Sequence, residues 1–260
     1  MRLTTFLSLL LFISSTLAAY GFGNQPYRSD SVRFHEGSLE VEGPLTQNDW
    51  NEINKRSVHS VHMLVDSDVP LFEKPNSLKG LREVILMSSI DSSKSLRDLA
   101  NNYPNIEELA ISQAAPLTDA DMQNIHRFNH LFFLEVSNDM PSCASFAAAV
   151  PATLRRLLLE DTSIVSAASC RINLPALTYF RLRRSKLSKG FLLGLDAPQL
   201  EEVSLSRVWA EHDTFKLFNR FPKLKRIFAY NMPQSSQTAL AELQALNPKL
   251  EIVVATTGTD

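Results

Sequence analysis

The chain has 260 residues, of which 44% are hydrophobic and 21% are charged. This composition is typical of a folded globular protein and argues against a disordered chain. Its formal net charge of −2 shows no basic excess, so we expect neither a nucleic-acid partner nor a charged membrane surface as a partner.

The first 18 residues differ from the rest of the chain. Arg2 precedes an apolar run over 6–13, and Thr16 and Ala18 stand at the −3 and −1 positions of a cleavage after Ala18. This order is typical of a secretory signal peptide, and the run is short for a bilayer span. We therefore predict a signal peptide over 1–18, a secreted mature protein, and no membrane span after its removal. A membrane anchor or a buried helix is the alternative.

Residues 19–35 form the next segment, which contains Gly, Pro and aromatic residues and shows no periodicity. We predict a cap or linker over 19–35, followed by one domain over 36–260. That domain carries a recurrent phrase with apolar residues at steps 0, +3 and +5. The phrase recurs every 23 to 26 residues, starting at Val58, Leu81, Ile106, Leu131, Leu154, Leu177, Leu200, Leu224 and Leu250, with a weaker copy at Leu39 and Val41.

Each phrase predicts a short strand, because its apolar residues alternate. Apolar residues at helical spacing lie between the strands, as at Leu96 and Leu99 and at Leu240, Leu243 and Leu246. Proline precedes many strands and is expected to end the preceding helix. Two helix starts are also predicted, because Thr46 and Thr118 are each followed three residues later by Asp, in the pattern of a capping box.

The phrase and its period resemble the leucine-rich repeat family, over about residues 36–256. The chain has no Asn three residues after the last Leu of the phrase. With its helix-like segments between the strands and the sequence "LTDADM", it looks closest to the ribonuclease-inhibitor-like or F-box-associated subtype, without an F-box. The resemblance implies an α/β solenoid: a curved right-handed coil of about eight to nine repeats, with a parallel sheet on the concave face and helices on the convex face. It also implies a protein-binding role, although such repeats serve many partners.

In such a coil, steps +2, +4 and +6 point outward from the concave face. The early repeats would present an acidic patch of Glu83, Glu108 and Glu135. The later repeats would present a second patch, made of Arg156, Tyr179, Arg181, Arg183, Arg226, Phe228 and Tyr230. Arg and Tyr are enriched at interface hot spots, and Arg pairs with carboxylates. We therefore predict that this second patch binds a protein or peptide, with an acidic partner favoured; the alternative is a solvated face.

Cys143 and Cys170 belong to adjacent predicted coils. A secreted protein permits a disulfide between them, but their different positions within the coil could hold them too far apart. The alternative is two small buried apolar residues.

No sequence motif of an enzyme, a cofactor site or a complete metal site is present, so we predict a non-enzymatic protein without metal or cofactor. The leading interpretation is secreted recognition in adhesion, immunity or effector action. One alternative is a structural matrix or coat component that self-associates through the C-terminal edge strand. A less favoured alternative is a carbohydrate-active enzyme that uses Glu83 and Glu108.

Overall fold

The computed structural model describes residues 29, 31–64, 70–73, 78–88, 93–113, 115–162 and 171–255. The predicted signal peptide over 1–18 and Cys170 lie outside these residues.

Strands and helices alternate along the described chain. The strands are β1 (Val32–His35), β2 (Ser38–Val41), β3 (Ser60–Leu64), β4 (Glu83–Ser88), β5 (Glu108–Gln113), β6 (Phe133–Ser137), β7 (Arg156–Glu160), β8 (Ile172–Asn173), β9 (Tyr179–Arg183), β10 (Lys186–Leu187), β11 (Leu195–Asp196), β12 (Glu202–Ser206), β13 (Trp209–Ala210), β14 (Arg226–Tyr230) and β15 (Glu251–Ala255). The helices are α1 (Gln47–Lys55), α2 (Ser93–Asn102), α3 (Asp119–Ile125), α4 (Cys143–Ala149), α5 (Lys189–Gly194) and α6 (Gln234–Leu246), with 3₁₀ segments at Pro70–Phe72 and His212–Arg220.

Eleven strands form one long sheet, in the order β1-β2-β3-β4-β5-β6-β7-β9-β12-β14-β15. β1 and β2 pair as an antiparallel hairpin, and every later pairing is parallel. The predicted α/β class with a long parallel sheet is therefore confirmed. Among the described residues, ten strands of this long sheet run parallel, against the eight or nine repeats expected. The predicted boundary between 35 and 36 falls inside the β1–β2 hairpin.

The apolar residues of the phrase fill the core. Equivalent residues of successive strands pair with one another, as Val84 with Leu109 and Leu109 with Leu134, so each apolar position forms a continuous row. All three side chains are fully buried. Because successive side chains of a strand point to opposite faces of the sheet, the residues between these buried positions point to the other face.

A tight turn precedes most strands. The N–H of the first apolar residue of the phrase donates to the carbonyl three residues earlier, as from Leu177 to Leu174 at 3.0 Å and from Leu200 to Ala197 at 3.1 Å. Pro175 and Pro198 are the second residues of these turns, where a fixed φ near −65° is favoured. Proline therefore does more than end the preceding helix, because it also shapes the turn into the next strand.

A backbone ladder replaces the missing Asn at the strand ends. Asp161, Arg184, Arg207 and Asn231 each follow a strand and have φ between 46° and 52°. Their N–H groups donate to the last residue of the next strand, as from Arg184 to the Ser206 carbonyl at 2.9 Å. The left-handed turn therefore links successive strands through main-chain hydrogen bonds.

Both predicted capping boxes are present. Thr46 accepts from the N–H of Asp49, and Thr118 accepts from the N–H of Asp121, with each Asp carboxylate bonded back to the Thr backbone. Both carboxylates are buried, and each accepts a hydrogen bond from the backbone N–H of the Thr at its own helix start. The chain thus marks the first turns of α1 and α3 locally.

The helices pack against the inward face of the sheet. Their apolar side chains, which include Leu96, Met122 and Leu240, form one buried cluster with those of the strands. α2 packs against α3, and α3 against α4. α6 includes Leu240, Leu243 and Leu246 as predicted; Leu240 and Leu243 are buried, whereas Leu246, at the end of the helix, is 63% exposed. Among the described residues, no helix is long and apolar enough to span a membrane.

The last strand is displaced by one residue from its predicted register. We expected Val253 to point inward, but Ile252 pairs with the buried Ile227 and Val253 with Phe228. Leu224 and Leu250 each end the turn that precedes the strand. One residue, Lys225, separates Leu224 from β14, whereas β15 starts directly after Leu250. A one-residue difference reverses the two faces of a strand.

Cys143 is disulfide-bonded. The sequence contains one other cysteine, Cys170, which lies outside the described residues. The pairing of Cys143 with Cys170 therefore stays a prediction.

We expect Phe180→Ala to lower the free energy of unfolding by about 3–5 kcal/mol, because it removes a large buried side chain. Phe180 is fully buried and stacks on Phe191 with ring centroids 5.8 Å apart. Ser206→Ala on the outward face is the control and should change the value by less than about 0.5 kcal/mol. Urea unfolding measures both, and equal values for the two variants would contradict this account of the core.

Candidate protein-binding face

The outward side chains of β3 to β7, β9, β12 and β14 form what we call the open face. They lie in three rows, because the strand register aligns equivalent residues. The first row is Ser60, Glu83, Glu108, Phe133, Arg156, Tyr179, Glu202 and Arg226. The second is His62, Ile85, Ala110, Glu135, Leu158, Arg181, Ser204 and Phe228, and the third is Leu64, Met87, Ser112, Ser137, Glu160, Arg183, Ser206 and Tyr230. All the predicted site residues from the acidic and arginine–aromatic patches lie on this face.

Arg156 lies between two aromatic rings at the centre of the open face. Its guanidinium carbon is 5.1 Å from the ring centroid of Phe133 and 5.6 Å from that of Tyr179. Phe133, Arg156 and Tyr179 occupy equivalent positions on adjacent strands. Cation–π attraction therefore holds the three side chains as one unit. Sequence reasoning placed Phe133 on this face but did not include it in the site.

A second aromatic pair lies on β14. The rings of Phe228 and Tyr230 are nearly parallel, at 7°, with centroids 6.4 Å apart. The guanidinium of Arg226 lies 5.8 Å from the Phe228 centroid and 2.9 Å from the Glu202 carboxylate. These side chains therefore stabilise one another on the surface.

Carboxylates lie among the predicted arginines. Glu160 is 3.4 Å from Arg183 and 2.5 Å from Arg184, and Arg184 also contacts Asp161 at 2.5 Å. The patch is therefore mixed in charge, which its predicted composition did not include. Among the described residues, Arg181 is a cation of this face without an ion pair.

The three predicted glutamates have different electrostatic environments. Interaction with the His62 imidazole, 3.9 Å away, lowers the pKa of Glu83. Burial raises the pKa of Glu108, and the neighbouring charge of Glu83 raises it further. Burial also raises the pKa of Glu135, although Arg181 opposes this effect. The structure brings these carboxyl groups onto neighbouring strands, where Glu83 and Glu108 are direct partners in register.

A depression of about 480 Å³ lies on the β4–β7 part of the open face. We call it the apolar depression, since Ile85, Met87 and Ala110 line it, with Glu135 and Arg184 among its polar boundaries. Met87 is 47% exposed. Sequence reasoning placed these apolar residues outward without including them in the site; the signal was the continuous apolar run "VILM" in β4, which has apolar residues on both faces.

Among the described residues, no group of three His, Cys, Asp or Glu side chains is placed to hold a metal ion.

We expect Glu135→Gln to raise the free energy of unfolding at pH 6. The pKa of Glu135 is higher in the folded state than in the unfolded state, so its charged carboxylate destabilises the fold once the pH rises above the unfolded-state pKa. The gain should disappear as the pH falls below about 4, where the carboxyl is protonated in both states.

Glu83→Gln is the matched control and should act with the opposite sign. Its lowered pKa contributes stability above the unfolded value, which is lost as the pH falls through the folded value. Urea unfolding of both variants, repeated at steps of about half a pH unit between about pH 3.5 and 6, measures these differences. A Glu135→Gln protein no more stable than the parent at pH 6 would contradict the assigned pKa direction.

No protein-family model matches the chain, and no curated protein matches it. A crystal structure of an internalin from Listeria monocytogenes is 15% identical, with 85% of this chain and 82% of that chain covered and a TM-score of 0.44. The repeat architecture described above rests instead on the aligned parallel strands of this chain and on its recurrent apolar phrase.

Proposed function

We propose that this chain is a secreted, non-enzymatic binding module that recognises a protein or peptide through its open face. The observation that supports this most directly is the arrangement of Phe133, Arg156 and Tyr179, which presents a cation between two rings at the centre of the open face. Recognition of this kind would suit adhesion, immunity or an effector role.

The arrangement favours binding because its side chains are already ordered. Association loses side-chain freedom, and each immobilised long side chain opposes binding by about 0.5–1.5 kcal/mol. Arg156 is held by two rings and Arg226 by Glu202 and Phe228, so less freedom is lost when a partner arrives. Parallel sheets are normally covered on both faces, which makes an open one a candidate interface.

Arg181 is the residue through which an acidic partner would act. Arg183 and Arg226 already contact Glu160 and Glu202, whereas Arg181 has no ion pair among the described residues. A partner carboxylate could therefore pair with Arg181 without displacing an existing contact. We therefore propose that an acidic partner binds next to Arg181 on β9 rather than across the whole arginine–aromatic patch.

Self-association is a second candidate because of the state of the last described strand. β15 pairs with β14, and no second neighbour occurs among the described residues. Val254 on β15 is 45% exposed. A copy of the chain could cover this apolar edge. A hydrolytic role for Glu83 and Glu108 stays a hypothesis based on the sequence.

Secretion predicts a defined mature protein. Expression of residues 1–260 through a secretory route should release a chain that starts at Ala19, because cleavage follows Ala18. N-terminal sequencing of the released protein measures this directly. Recovery of the uncleaved chain would contradict the signal-peptide proposal.

The intact mass of the same protein before and after reduction should differ by about two hydrogen atoms if Cys143 and Cys170 are bridged.

We expect Arg181→Glu/Arg183→Glu to reduce partner capture at least about tenfold, because charge reversal replaces attraction with repulsion at the open face. The tagged parent chain and the variant would be exposed to extracellular material from the source organism, with captured proteins quantified by mass spectrometry.

Arg171→Glu provides the matched control, since Arg171 is an exposed arginine outside the open face. It should leave capture unchanged. Equal capture by the parent and the double variant would contradict binding through this patch. Capture of further copies of this chain alone, together with a molecular mass in solution that increases with protein concentration, would favour the self-association candidate.

A further inference from the structure

The open face has two electrostatic halves. The outward residues of β3 to β6 include Glu83, Glu108 and Glu135 but no Lys or Arg. The outward residues of β7, β9, β12 and β14 include four Arg and two Glu. A partner that covers both halves therefore meets opposite charge at its two ends.

The apolar depression lies in the acidic half. Ile85, Met87 and Ala110 supply its apolar surface, and its volume of about 480 Å³ suits one or two side chains of a partner. Its lining contains three carboxylates and one guanidinium, and that guanidinium, on Arg184, is already paired with Glu160 and Asp161. Among the described residues, Glu135 is the lining carboxylate that forms no ion pair, and Arg181 acts on it only from beyond ion-pair distance, so a cation from a partner could pair with it directly.

Two carboxylates of the acidic half form no direct ion pair with another described residue: Glu135, which lines the depression, and Glu108, two residues before Ala110 on β5. Within the described chain, the side chains of Glu108 and Glu135 form neither a hydrogen bond nor an ion pair within 4 Å. Both are partly buried, which opposes their charged form. A cation placed between them would offset that loss and the repulsion between Glu83 and Glu108.

We propose that the apolar depression receives a Lys or Arg side chain from a partner protein. Such a side chain has an aliphatic stem that can lie on Ile85, Met87 and Ala110, and a charged end that can pair with Glu135 in the lining. Glu108 lies two residues before Ala110 on the same face and adds negative charge nearby. An acidic occupant would meet repulsion, and a wholly apolar one would bury these carboxylates further without a counter-charge.

This inference rests on the proposed function and specifies its partner further. β5, which carries Glu108, and β9, which carries Arg181, are separated by β6 and β7. Three strand spacings of about 4.8 Å amount to roughly 14 Å, which an extended chain covers in about four residues. A bound segment should therefore carry a cation and a carboxylate about four residues apart.

Peptide binding to the intact protein tests the proposal. The probes are two blocked octapeptides with a Leu-Lys pair and a Glu four residues from the Lys, in either order, and their counterparts with norleucine in place of Lys. Norleucine keeps most of the aliphatic stem and removes the ammonium group. Binding is followed by NMR of the methyl groups of Met87 and Ala110.

We expect one Lys peptide to shift these methyl resonances saturably, with its norleucine counterpart at least about tenfold weaker. Glu108→Gln/Glu135→Gln should weaken the Lys peptide to a similar extent and leave the norleucine peptide unchanged. Ser206→Ala is the control variant, since Ser206 lies on the open face away from the depression. Circular dichroism establishes that the variants are folded.

Equal affinity of the Lys and norleucine peptides for the parent protein would overturn the proposal without reference to any variant. Equal affinity of n-butylammonium and the Lys peptide would also overturn it, since the site would then recognise a small amine rather than a protein segment. Failure of the proposed function is a separate result: protein capture would be insensitive to Arg181→Glu/Arg183→Glu even where the Lys peptide shifts Met87.

Discussion

Backbone hydrogen bonds between equivalent residues of successive strands hold the side chains of this molecule in straight rows. The N–H groups of Thr178 and Tyr179 both donate to the Arg155 carbonyl, and the same pair of bonds recurs from Glu201 and Glu202 to Thr178. This arrangement fixes each strand against the previous one without a shift in register. The buried rows and the open face are both consequences of it, because a slip of one residue would exchange the two faces.

The open face follows from that alignment in a simple way. Residues at one position of the phrase become neighbours across strands about 4.8 Å apart. Phe133, Arg156 and Tyr179 are far apart in the sequence and yet form one stack. Glu83 and Glu108 are placed together by the same rule, and their mutual repulsion is part of why the pKa of Glu108 is raised. Attraction and repulsion on this face thus have a common geometric origin.

The two halves of the face differ in how far their charges are satisfied. On the β7–β14 side, Arg183 and Arg226 have carboxylates and Arg156 has aromatic rings. On the β3–β6 side, Glu108 and Glu135 are partly buried next to apolar residues. Stability alone does not favour buried carboxylates without partners, which is why we interpret the acidic half as a place for a cation from outside the chain.

The sequence by itself determined the strands, their period, the inward rows, the two capped helices and the membership of the open face. These depend on local patterns: alternation of apolar residues, a fixed repeat length, and a Thr three residues before an Asp. Local pattern failed where the connection lost one residue before β15. Only the tertiary structure decided which charges meet. Ion pairs such as Glu202 with Arg226, the cation between Phe133 and Tyr179, and the depression around Met87 depend on side-chain positions across separate strands, which a one-dimensional pattern places in a row but cannot orient toward one another.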